Sequence, residues 1–109
     1  MKLSDLTNET KELAILYKGA ADEYIVKLVY RTQAVTPGFL KEVRELKGED
    51  RLIYQVKKAV VSWDITDDDL KPIKITDDGL ADVPAQLLGW ILDQIAQDRF
   101  VLSDESKNG

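Results

Sequence analysis

The chain contains no cysteine and no histidine. Without cysteine there is no disulfide framework and no thiolate nucleophile, and without histidine the commonest general base and transition-metal ligand are missing. The six glycines stand singly at positions 19, 38, 48, 79, 89 and 109, so no glycine-rich loop is present to cradle a phosphate. Apolar runs such as Tyr24-Ile25-Val26 and Ala59-Val60-Val61 are a few residues long, far from the roughly 20 that a membrane helix needs. Residues 1–17 alternate polar and apolar types and lack the continuous apolar stretch of a secretion signal, so an intracellular protein with no membrane segment is expected.

What is present describes one small domain. The 109 residues are 44% apolar and 32% charged, enough core formers to fold rather than remain disordered. Charge is unevenly divided: residues 1–59 carry eleven Lys/Arg against nine Asp/Glu, and residues 60–109 carry four against eleven. Such an acidic second half repels phosphates, so nucleic acid is not an expected partner.

Taken in order, residues 1–10 read as a frayed lead-in. Leu13, Ile15 and Tyr17 recur at every second position, Lys18 to Glu23 supplies a turn, and Tyr24, Val26, Leu28 and Tyr30 share one face of a second extended run. This predicts an antiparallel β-hairpin whose aromatic residues serve as core and cross-strand pairs rather than as a stacking platform for bases. Thr36-Pro37 reads as a helix start, with Phe39, Leu40, Val43 and Leu46 behind it and Gly48 as terminator. Glu49 or Asp50 caps a following helix, in which Leu52, Ile53, Val56, Ala59, Val60 and Trp63 form a stripe; the β-branched pair Val60-Val61 also fits a short strand.

Residues 60–80 hold six aspartates. Thr66-Asp67-Asp68-Asp69 and Pro72 break helical structure, which makes a loop. The calcium-loop register, with alternating oxygen ligands, a glycine at its sixth position and a closing glutamate, is absent around Asp64, Asp67, Asp68 and Asp69, so these read as solvated carboxylates. Thr76 caps a short helix, and Pro84 opens a last one at its first position. There Leu87, Leu88, Ile91, Leu92 and Ile95 make a wide apolar stripe beside Trp90, and Gly89 implies close approach by a neighbour. The expectation is an α+β fold, a hairpin followed by a mostly helical part of three to four helices. Residues 1–102 form the domain and 103–109 a disordered polar tail.

The stretch Ser62-Trp63-Asp64-Ile65-Thr66-Asp67-Asp68-Asp69-Leu70-Lys71-Pro72 followed by Gly79-Leu80-Ala81-Asp82-Val83-Pro84 resembles a family of small tailed-bacteriophage and prophage proteins, the tail assembly chaperones. Tyr30-Arg31 through Val35-Thr36-Pro37 carries an earlier part of the likeness, which covers roughly residues 24–98. Leu70 stands where the family pattern has glycine. The resemblance implies a non-enzymatic protein of the bacterial host cytoplasm, without cofactor or metal. It would bind the long apolar tape-measure protein during tail assembly, with the tail-tube protein as a second candidate partner and a homo-oligomer as a candidate state. A minor structural tail or connector component is the alternative. The expected client-binding residues are Leu87, Trp90, Ile91 and Gln94, with the hairpin edge as a second surface. Polar replacements at Trp90 and Ile91 are expected to leave the fold intact.

Overall fold

The computed structural model describes the backbone of residues 1–108 and the side chains of residues 1–99. The elements run α1 (Leu3–Thr7), β1 (Thr10–Lys18), β2 (Glu23–Arg31), α2 (Pro37–Glu45), α3 (Gly48–Ala59), β3 (Val60–Trp63), α4 (Asp77–Leu80) and α5 (Ala85–Asn108). The arrangement is α+β: an N-terminal antiparallel hairpin followed by helices. One element exceeds the sequence reading: a single turn of helix, α1, replaces the frayed lead-in. Of the two readings open at Val60-Val61, the structure takes the short strand, β3, which runs on to Trp63. The expected polar tail, 103–109, lies outside the residues whose side chains are described.

The hairpin follows from its alternation. Leu13 pairs with Leu28, Ile15 with Val26 and Tyr17 with Tyr24, and these side chains face the helices while Glu12, Ala14 and Leu16 face out. Thr32 N–H donates to Glu9 C=O at 3.0 Å, and its hydroxyl donates to the Glu9 carboxylate at 2.8 Å, which ties the strand ends together. At the other end Gly19 N–H donates to Asp22 C=O at 2.8 Å and closes the turn.

Thr36 caps α2 as its sequence predicts, its hydroxyl accepting from Phe39 N–H at 3.1 Å with Pro37 behind it. The next junction is built differently. α2 closes on Leu46 in extended conformation, and Gly48, at φ +59°, opens α3 instead of terminating α2. Neither Glu49 nor Asp50 is the cap; both sit in the first turn of α3, where their charge suits the helix dipole.

α3 ends at Ala59, because Val60 turns extended and the β-branched pair that follows packs well on a pleated sheet. β3 joins β2 to give the antiparallel order β1-β2-β3. The pairing shifts by one residue between Val29 and Tyr30, so Trp63 lies against Leu28, Ser62 against Val29, and Val60 against Tyr30. The bulge leaves Val61 over and exposed, and it turns both Val60 and Trp63 inward although they are three residues apart. Strict alternation would have put one of them in water.

The core lies between the inner sheet face and the helices. Val26, Leu28, Tyr30, Val56, Val60, Leu88, Ile91 and Ile95 are its buried centre, and Leu80 and Val83 seal one end. α5 packs beside α3, and the burial of Leu88, Ile91 and Ile95 in the core absorbs the middle of its wide apolar stripe. Pro84 flanks the helix rather than opening it: its carbonyl accepts from Leu88 N–H at 3.1 Å. No described helix is long and apolar enough to cross a membrane.

Candidate functional site

The four residues expected to form a binding face do not share one environment. Ile91 has no accessible surface and belongs to the core centre, so a polar replacement there would bury an unpaired polar group rather than alter a surface. Leu87 and Trp90 are half-buried against the core, and Gln94 is half-buried one turn beyond. The accessible face thus reduces to Leu87, Trp90 and Gln94.

Trp90 is held edge-on against Tyr17 of β1, ring centroids 4.8 Å apart and planes at 64°. Such a contact adds about 1 kcal/mol to the burial of the rings. Around it runs a groove of about 550 Å³ between the hairpin and α5, lined by Leu16, Tyr17, Lys18, Gln86, Gly89, Trp90 and Asp93. Gly89 forms part of its floor. A methyl group placed there meets nothing within 4 Å, so the close neighbour that the sequence implied is absent among the described residues. The groove combines an aromatic edge, an aliphatic side chain and a charge of each sign at its rim, a composition suited to one face of an amphipathic helix.

A polar cluster that the sequence reading did not single out lies at the other end of α5. Asp98 accepts from the Tyr30 hydroxyl at 2.5 Å and from Lys11 Nζ at 2.8 Å. Burial pushes the Tyr30 hydroxyl well above its ordinary range, and the hydrogen bond and charge of Asp98 push it further, against a smaller opposing effect of Arg99. For Asp98 burial works upward, yet the hydrogen bonds from Lys11 and Tyr30 outweigh it and hold the carboxyl below its usual range. The arrangement keeps tyrosine protonated and aspartate ionised. It is a lock between β1, β2 and α5, with no spare base. A sequence signal existed: Lys11 shares the inward face of β1 with Leu13, Ile15 and Tyr17, and Asp98 follows Ile91 and Ile95 on the inward face of α5.

Two aspartates of the central loop, Asp64 and Asp67, are spent on the backbone. Asp64 Oδ1 accepts from Lys27 N–H at 3.0 Å while Asp64 N–H donates to Lys27 C=O, which extends the β2–β3 ladder by one rung. Asp67 Oδ1 accepts from Asp69 and Lys71 N–H at 2.9 and 3.0 Å. Asp67 N–H donates to Lys71 C=O and Leu70 N–H to Asp67 C=O. That is a three-residue hairpin loop whose last residue occupies the left-handed position ordinarily filled by glycine. Leu70 occupies it at φ +61°. Asp77 pairs with Lys57 at 2.8 Å. Among the described residues no three acidic side chains converge as a metal site would require.

A second cleft, about 640 Å³, lies beside α2 and α3 and brings together Arg31, Lys57, Lys58, Phe39 and Tyr54. Its cations are engaged internally. Arg31 Nη1 donates to Lys58 C=O at 3.0 Å, Lys57 holds Asp77, and Lys58 lies 5.7 Å from the Tyr54 ring, itself stacked on Phe39.

No protein-family model, curated protein or solved structure matches the chain.

Proposed function

We propose that this chain is a non-enzymatic tail assembly chaperone of a tailed bacteriophage or prophage, which binds the tape-measure protein in the host cytoplasm and assists tail-tube assembly. The observation that supports the reading most is the residue pattern from Ser62 to Pro72, whose order the loop geometry explains. Trp63 fills the core, Asp64 extends the ladder, Asp67 organises the turn, and position 70, glycine in the family pattern, has a left-handed backbone. The client would lie in the groove between the hairpin and α5, with its apolar face against Trp90 and with Leu87 and Gln94 beside the groove on the same helix.

Co-expression with the tape-measure protein encoded by the same phage tests this. The chain should co-purify with it, and Trp90→Gln should abolish co-purification while circular dichroism stays unchanged. Undiminished capture by Trp90→Gln would move the client to another surface; no capture by the unaltered chain would refute the function.

The alternative, a minor structural tail or connector component, is favoured by one observation, the outer edge of β1, which no strand covers among the described residues. Mass spectrometry of finished particles separates the two: a chaperone is absent from them and a component is present.

A further inference from the structure

The outer edge of β1 has no strand against it among the described residues, since the sheet order places β1 at one side and β3 at the other. It is nine residues long, with no proline and a continuous register against β2. Sheets normally blunt such an edge with a bulge, a proline, a short strand or charged side chains; of these β1 has only charges, at Lys11, Glu12 and Lys18, and they carry both signs.

The direction of its free hydrogen-bonding groups follows from the ladder. Glu9 with Thr32, and Gly19 with Asp22, mark bonded pairs at its two ends. Counting by twos between them, the odd-numbered residues of β1 exchange bonds with β2, and Thr10, Glu12, Ala14, Leu16 and Lys18 turn their N–H and C=O groups outward.

We propose that two copies of this chain join through this edge, β1 against β1 in antiparallel register about a two-fold axis at Ile15. In that register Glu12 lies opposite the partner's Lys18 and Ala14 opposite the partner's Leu16. On the inner face Leu13 lies opposite the partner's Tyr17, and the two Ile15 side chains meet on the axis. Every cross-strand pair is apolar with apolar or acidic with basic, and symmetry makes each of the unlike pairs twice. A register centred on Glu12 would instead set two glutamates face to face.

The inner-face residues are ready for such an extension. Leu13, Ile15 and Tyr17 are half-buried by their own helices, and Leu16 remains 48% exposed on the outer face. Pairing would join two three-stranded sheets into one of six and cover the apolar margin that each chain leaves at β1. Lys11 lies beyond the paired segment and keeps its bond to Asp98.

Sedimentation equilibrium of the full chain from micromolar to millimolar concentration tests the proposal. The unaltered chain should show a monomer–dimer equilibrium. Glu12→Lys should weaken it about tenfold, because two attractive pairs become repulsive, and Glu12→Lys combined with Lys18→Glu should restore it. Ala14→Pro removes an outward N–H without touching the ladder to β2 and should abolish the dimer, with circular dichroism verifying the fold. A chain monomeric throughout that range overturns the proposal, as does a dimer indifferent to both Glu12→Lys and Ala14→Pro.

Discussion

Trp63 donates its indole Nε1–H to the carbonyl of Ile73, 2.8 Å away across ten residues of loop. The indole is 9% exposed, so one side chain both fills the core and fastens the chain's return from the acidic turn. Trp63→Phe keeps most of the packing and deletes the donor. The expected loss is about 1–2 kcal/mol of unfolding free energy, read by urea denaturation, together with faster amide exchange from Ile65 to Ile73.

Leu70 bears the opposite relation to its surroundings: it is 81% exposed and left-handed. No packing compensates for the clash between its Cβ and the backbone, a cost of about 1 kcal/mol. Leu70→Gly should therefore stabilise the protein by about 1 kcal/mol in the same denaturation assay. Leu70→Ala retains Cβ and should leave stability nearly unchanged.

These loops also show where sequence sufficed. The reading and the structure agree on the inward faces of β1 and β2, on the Thr36 cap, and on Thr76, whose hydroxyl accepts from Gly79 N–H at 3.1 Å; the caps expected of Gly48, Glu49 or Asp50, and Pro84 fall one to three residues from where the helices begin and end. Other differences arise where a distant partner decides. Val60 and Trp63, three residues apart, mimic one face of a helix as well as the short strand that Val60-Val61 allows, and the bulge against Val29 and Tyr30 decides for the strand by turning both inward. Ile91 and Trp90 are equally apolar neighbours, and which one is buried depends on how α5 rotates against α3 and the sheet. The Asp98 cluster joins residues 11, 30 and 98, a separation that no local pattern spans.

That cluster sets a pH dependence with two limbs. Asp98 has a folded-state pKa below its unfolded one, so its contribution is present above the ordinary carboxylate pKa of about 4 and is lost as pH falls through the lower folded value. Tyr30 has a raised folded-state pKa. Its contribution is complete below the ordinary tyrosine pKa of about 10 and declines above it, as the unfolded chain ionises and the folded one does not. Asp98→Asn should flatten the acid limb and cost about 2 kcal/mol near neutrality. Thermal melts of both proteins from acid to alkaline pH measure the two effects.

Gly89 sits inside α5 with open space where its side chain would project. A helical glycine costs about 1 kcal/mol relative to alanine, and nothing nearby clashes with a methyl group. Gly89→Ala should raise unfolding free energy by about 1 kcal/mol. The same methyl group would narrow the groove beside Trp90, so weaker tape-measure capture by a more stable protein would place the client's helix against Gly89.

Trp90 and Ile91 adjoin in sequence and should part in experiment. Ile91 has no accessible surface and packs among Val56, Leu88 and Ile95, so Ile91→Ala removes core volume and leaves a cavity, at about 3 kcal/mol. A domain of this size has roughly 5–15 kcal/mol in total, so the variant folds but melts earlier. Any loss of client binding should then follow the fraction folded and recover on cooling. Trp90→Gln forfeits the edge contact with Tyr17 and part of the ring's burial, a smaller loss, and should remove binding at temperatures where the protein is fully folded. Capture measured alongside circular dichroism over a temperature series separates the two. Should Trp90→Gln lose binding only in step with unfolding, Trp90 acts through the fold and the groove is not the docking surface.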